Sequence, residues 1–217
     1  MVSTRRPYKV GIARRALILS VARGVFSSDG FHATTLESIA RAADMSPSSL
    51  KHYYPTKHHI LAALVDQQLT EFDERDSDPG DIDVYTWLNN MREAHEQIAS
   101  DQAGTELSVL ALSEATDPSS PFHDRMRSQY ERAVAHGASV LRACQERGEV
   151  RADVDPNHIA ALALAMPNGL QQAWLLQDHG NDLATLSNSW LAMLATAIIT
   201  PEYLDGERIN ALATPID

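Results

Sequence analysis

The 217-residue chain predicts an all-α fold in two parts. The first is an N-terminal three-helix domain with a helix-turn-helix, residues 1–56. The second is a larger antiparallel helical domain, residues 57–217, giving about nine helices in all. Three observations predict this. Apolar residues recur at helical spacing along nearly the whole chain, with no alternating strand pattern. The stretch 34–60 holds two short capped helical patterns with a tight connection between them. Charge also divides along the chain. Residues 1–60 hold nine Lys or Arg against three acids, a balance of +6, while the remainder holds nine against 26, a balance of −17.

The first helix places Ile18, Ala22, Val25 and Phe26 on one face. Arg14 and Arg15 ahead of ALILSVA imitate a secretory leader, but Arg23 interrupts the apolar run and no small-residue cleavage pattern follows. The second helix sets Leu36, Ile39, Ala40 and Ala43 on one face, and Thr34 with Glu37 reads as its capping box. The third begins at Ser46 as N-cap, with Pro47 at the first helical position, where a missing N–H costs nothing. Pro55 disfavours helical backbone at Tyr54 and ends it after about two turns. This short helix displays Ser48, Ser49, Lys51, His52 and Tyr53. A bracing helix, a turn and a short polar helix are what major-groove reading requires, and hydroxyl, imidazole, ammonium and phenol groups suit base edges and phosphates. A net charge of −11 argues against nucleic acid, yet its distribution leaves a basic head on an acidic body, which favours one docking orientation.

Residues Thr35, Ile39, Ala40, Ala43, Ser46, Leu50, Tyr53, Tyr54 and Lys57, preceded by Phe26, Gly30 and Phe31, resemble the DNA-binding domain of the tetracycline-repressor (TetR) family. Asp44 stands where that family usually has a turn glycine, Ser48 replaces a common Gly and Lys51 a common Tyr, so the operator does not transfer from a relative. Asp tolerates left-handed backbone better than most residues, so the turn itself is compatible. The resemblance implies a cytoplasmic homodimeric transcription regulator, a repressor by family habit, that leaves a near-palindromic double-stranded operator when a small-molecule effector binds. It implies that Thr35 and Lys57 hold phosphates. Ser46, Pro47, Ser48, Ser49, Lys51 and His52 then lie at the groove, with Tyr53 at its edge. Arg5 and Arg6 suit either a minor-groove arm or a solvated tail.

The body predicts further helices. One runs from Lys57 to about Arg75 with Ile60, Leu61, Leu64, Val65 and Leu69, followed by Val84 to about Ser100 and Glu106 to Ala115. Phe122 to Arg147, Pro156 to about Asp178 and Leu183 to about Thr200 complete it, with a loose tail after Pro201. SEATDPSSPFHDRM, ERGEVRADVDP and MPNGLQQAWLLQ also resemble the C-terminal domain of many family members, in which the last two long helices pair with a second subunit. Ile159, Leu162, Met166, Leu170, Ala173 and Trp174 form one suitable stripe. Leu183, Leu186, Trp190, Met193, Leu194 and Ala197 form another; the alternative is that each stripe faces its own core, but two such helices in succession are hard to bury in so small a body, which favours pairing.

Pro167 removes a helical hydrogen bond and predicts a kink or local opening. Asn168, Gln171 and Gln172 follow it among apolar residues, the mixture a ligand site needs. Trp87, Met91, His95, Phe122, Met126 and Tyr130 are candidate walls, although aromatic and Met residues at such spacing also build cores. A hydrophobic or aromatic effector carrying a hydroxyl, carbonyl or carboxylate fits this set.

Cys144, the single cysteine, excludes an internal disulfide and reads as a buried filler. No stretch is long and apolar enough to span a membrane. The nine histidines lack metal-ligand spacing, and no cofactor loop or catalytic constellation stands out, so no metal, cofactor or enzymatic activity is expected. A helical protein-binding adaptor without specific DNA recognition is the alternative, with an enzyme last.

Overall fold

The computed structural model describes the backbone of residues 5–73, 78–177, 180 and 182–214, with side chains from residue 11 onward except 66 and 68–73. Ten α-helices are present among the described residues: α1 (Arg5–Asp29), α2 (Leu36–Ala42), α3 (Pro47–Tyr53), α4 (Lys57–Asp73), α5 (Val84–Ser100), α6 (Gln102–Glu114), α7 (His123–Glu146), α8 (Pro156–Leu176), α9 (Leu183–Ile198) and α10 (Gly206–Ala213). Extended pairing among the described residues is confined to an isolated antiparallel bridge between Val150 and Ile199. None of the described helices is long and apolar enough to cross a membrane.

Two compact units emerge. The first comprises Met1–Glu71 with Leu110–His123, the second Phe72–Val109 with Asp124–Asp217, so α4 and α6 each contribute to both.

In the first unit, Ile18, Leu19, Ala22 and Phe26 of α1 are buried together with Ile39 and Ala40 of α2, Leu50 of α3 and Ile60, Leu61 and Leu64 of α4. The reason is spacing: each of the four helices offers one apolar stripe and hides it against the others. Gly30 ends α1 at φ 77, donating its N–H to the Phe26 carbonyl at 3.0 Å, a left-handed cap that a Cβ would strain. Phe26 and Phe31 then meet at 5.1 Å between ring centroids. The tight connection between α2 and α3 turns on Asp44 at φ 52, the left-handed conformation expected at that position.

The second unit is built on aspartate caps. Asp83, Asp155, Asp182 and Asp205 each accept a backbone N–H at the start of α5, α8, α9 and α10 respectively. Val84, Tyr85 and Leu88 of α5, Val140, Leu141 and Cys144 of α7, Ala160 and Ala163 of α8, and Leu191, Leu194, Ala195 and Ile198 of α9 form its core. Gly137 of α7 lets α8 approach closely, since a Cβ there would sit 3.2 Å from that of Ala160 and 3.8 Å from the Trp87 ring. Between α7 and α8, the buried Glu149 carboxylate accepts from Arg147 and, at 3.0 Å, from the Val84 N–H. Arg147 also reaches the carbonyls of Gly80 at 2.8 Å and Ile82 at 2.6 Å, tying the approach to α5 to the end of α7.

Two expectations are corrected here. Residues 202–214 form no loose tail: α10 buries Leu212 completely, and Arg92 holds its last turn through the Ala211 carbonyl at 3.0 Å. α6 begins at Gln102 rather than Glu106, because the Asp101 carboxylate accepts the Gly104 N–H at 3.0 Å and starts the helix earlier. Pro167 is buried inside α8, with helical backbone on both sides of it.

Candidate nucleic-acid interface

The helix-turn-helix owes its geometry to two serine and threonine caps. Thr35, not Thr34, caps α2: its hydroxyl accepts the Ser38 N–H at 3.1 Å, and the Ser38 hydroxyl accepts the Thr35 N–H at 3.1 Å. The expected Thr34–Glu37 box is therefore displaced by one residue. Thr34 is buried and donates its hydroxyl to the Gly30 carbonyl at 2.8 Å, which leaves it no role at the helix start.

Ser46 caps α3 as expected, accepting the Ser49 N–H at 3.2 Å, with Pro47 in the first turn and extended backbone at Tyr54 ending the helix. The Ser46 hydroxyl donates to that of Ser49 at 2.8 Å and lies 3.1 Å from that of Ser48. Ser46, Pro47, Ser48, Ser49, Lys51 and His52 are all exposed around Leu50, which is fully buried, and Tyr53 is half-buried. Burial of Leu50 and Tyr54 therefore sets the rotation of α3 that presents the polar residues. Arg15 of α1 lies over the rings of Tyr54 at 5.4 Å and Tyr53 at 5.9 Å, adding positive charge beside the end of α3. Sequence periodicity could not find it, because Arg15 and Tyr53 meet only through the tertiary packing of α1 and α3. Glu37, Arg41, Asp44, Met45, Ser46 and Pro47 line an open cleft between α2 and α3.

Lys57 differs from expectation. Its ammonium donates to the carbonyls of Phe31 at 2.7 Å, Thr34 at 2.9 Å and His32 at 3.1 Å, which engages all three donors. It also lies 4.6 Å from the centroid of the Phe31 ring. The side chain pins the start of α4 to the α1–α2 loop and has no N–H left for a phosphate. Beside it, His58 stands edge-on to Phe31 at 5.1 Å and reaches Glu114 of α6 at 3.6 Å. The side chains of Arg5 and Arg6 lie outside the described residues.

The expected effector residues are distributed over both units. Phe122 is buried in the first. In the second, Trp87 is a core residue with its indole against Gly137, Met91 packs against that core, Met126 and Asn168 are half-buried, and Tyr130 is 43% exposed. His95 and Gln171 are buried, and burial lowers the His95 pKa to about 4, leaving its ring neutral at physiological pH.

Of the expected interface residues, Leu162, Met166 and Leu186 are exposed, while Ile159, Leu170, Trp174 and Trp190 are half-buried. Leu194 is only 9% exposed and belongs to its own subunit's core, whereas Met193 beside it is 71% exposed. One residue of helical phase separates them, and the α5 contact decides which turns inward. The outward stripe thus runs through Leu162, Ala165, Met166, Gly169 and Leu176 on α8 and through Leu186, Ser189, Met193 and Ala197 on α9.

A buried three-helix frame displaying a capped, polar and basic second helix, joined to a helical body, defines a DNA-binding transcription regulator. The model for bacterial regulatory proteins of the tetR family matches residues 18–64, and that for the BetI-type transcriptional repressor C-terminal region matches residues 91–198. The chain belongs to the TetR family. It is 22% identical over 170 residues to the HTH-type transcriptional regulator UidR of Escherichia coli, a match covering 78% of this chain and 84% of UidR. Among solved structures it is similar to Salmonella enterica GusR, with a TM-score of 0.62 and 25% identity over 90% of this chain and 98% of GusR. SmeT, repressor of the Stenotrophomonas maltophilia multidrug efflux pump SmeDEF, superposes with a TM-score of 0.67 at 19% identity over 94% and 97% of the two chains. A SmeT–triclosan complex gives a TM-score of 0.71 at 20% identity over 89% and 95%.

Proposed function

We propose that this regulator is a cytoplasmic homodimeric repressor, without catalytic activity, that binds a near-palindromic operator through residues 1–56 and is released when an effector occupies residues 57–217. The observation that carries the reading is α3, whose buried Leu50 rotates Ser48, Ser49, Lys51 and His52 outward as a set. In this reading those four meet base edges and phosphates, Thr35 holds a phosphate at the start of α2, and Arg15 supplies backbone charge at the far end.

Dimerisation is supported by the outward stripes of α8 and α9. Large apolar side chains such as Leu162, Leu176 and Met193 are exposed there, interspersed with Gly169, Ala165 and Ser189, which permit close helix approach. α4 runs from the first unit into the second, so an effector that favours one arrangement of the body acts on its start, where Lys57 and His58 are anchored. The SmeT–triclosan complex supports a small-molecule effector for a protein of this fold.

The test is selection of bound fragments from a genomic library. The expected product is an inverted repeat whose half-site centres lie about one helical turn or more apart, bound by one or two dimers. A stable monomer binding one asymmetric site at full affinity, or no sequence preference at all, would overturn the reading in favour of a protein-binding adaptor.

A further inference from the structure

Two polar atoms at the packed interface of α5 and α9 have no hydrogen-bond partner: Nδ1 of His95 and Oδ1 of Asn188. His95 is 9% exposed and Asn188 fully buried, so water at the molecular surface does not serve them. Buried polar groups are paired in the great majority of cases, because leaving one unpaired costs about 1 to 3 kcal/mol. The orientation of Asn188 is fixed by its neighbour: its side-chain N–H donates to the Glu96 carboxylate at 2.8 Å, and a carboxylate only accepts. The atom left over must therefore be the amide oxygen, which requires a donor.

We infer that the α5–α9 interface is the polar anchor of the effector site, and that the effector is an uncharged aromatic compound whose hydroxyl donates to Asn188 Oδ1. This rests on the reading of the protein as an effector-released regulator, and it narrows the chemistry of that effector. A carboxylate has no proton to give and would face Glu96. An ammonium could donate to Asn188 and would be drawn to Glu96, but it would have to be desolvated at a site where burial already holds the His95 ring neutral, with a pKa of about 4, and that cost opposes it. A hydroxyl has the proton that Asn188 Oδ1 lacks and carries no charge into the site. Trp190, whose ring lies 6.5 Å from that of His95, offers a flat apolar face for an aromatic body. The orphan atoms also supply the differential that control requires, since they are satisfied only in the arrangement that holds the ligand.

The experiment titrates the full-length protein with 2-naphthol, 2-naphthoate, 2-naphthylmethylamine and naphthalene, following tryptophan fluorescence and heat of binding. 2-Naphthol is expected to bind about ten-fold or more tightly than the other three, the value of one buried hydrogen bond near 1.4 kcal/mol. Asn188→Leu should remove that advantage and leave naphthalene unchanged. As a second measurement, His95→Phe should raise the thermal midpoint, because it deletes an unpaired buried nitrogen, whereas a histidine kept for structure would lower it. Equal binding of 2-naphthoate or the amine, an advantage that survives in Asn188→Leu, or no binding by any of the four would overturn the inference. Operator binding by the wild-type protein, measured in parallel without compound, separates these failures: if it persists, only the effector chemistry is wrong, and if it is absent, the regulator reading falls as well.

Discussion

Two lysines of the first unit look interchangeable by charge and are separated by their surroundings. Lys51 is exposed on α3, while the ammonium of Lys57 donates to three carbonyls of the α1–α2 loop. Lys51→Ala should therefore lower the slope of operator affinity against salt by about one counterion per head and leave stability unchanged. Lys57→Ala should do the reverse, costing about 2 kcal/mol of stability with an unchanged slope, since hydrogen bonds to charged groups contribute about that much. Denaturant melts and band shifts at several salt concentrations check both. Glu149 makes a second residue-scale prediction. Burial opposes its ionisation, but the Arg147 guanidinium and the Val84 N–H outweigh that and hold its carboxyl below the usual range. A depressed carboxylate contributes stability above its unfolded pKa of about 4.3, and that contribution is lost as pH falls through the lower folded value. Thermal midpoints of the wild type should accordingly drop in that acid window, and Glu149→Gln should flatten the drop while lowering the plateau above it.

At the scale of elements, the exposed stripes of α8 and α9 separate interface from core within a single turn. Met193→Asp should split the dimer in sedimentation and leave helical content intact, whereas Leu194→Asp should unfold the second unit, because it places a charge among Leu88, Leu191 and Ala195. The two outcomes differ although the residues are adjacent. Such phase differences limited what was legible beforehand. α3 could be bounded closely because Ser46, Pro47 and Pro55 act through local stereochemistry, which needs no knowledge of the fold. α10 could not, since its eight residues bury one large side chain, Leu212, and its anchors, Arg92 and Tyr85, lie more than a hundred residues away in sequence. The candidate effector site was half legible for a similar reason. His95 stood out as a polar residue on an apolar face, but Asn188 acquires meaning only when Glu96 fixes its amide.

For the whole molecule, a balance of +6 in residues 1–60 and −17 in the rest makes affinity and orientation products of the same distribution. A dimer carries two such heads. A duplex with one half-site should therefore show about half the salt slope of the full operator and a far weaker affinity, since the second contact becomes intramolecular once the first is made. Equal slopes for half and full sites would mean that one head binds alone.

The turn between α2 and α3 bears on how such a protein finds its site. Asp44 occupies a left-handed position at φ 52 that glycine fills more readily, and its carboxylate lines the same cleft as Ser46 and Pro47. An anion this close to the groove-reading helix weakens attraction to every phosphate backbone alike, while correct base contacts are unaffected. The expected consequence is less time lost on the vast excess of unrelated chromosomal sequence, and Asp44→Gly should raise affinity for random duplex by a larger factor than affinity for the operator, as band shifts on both would read.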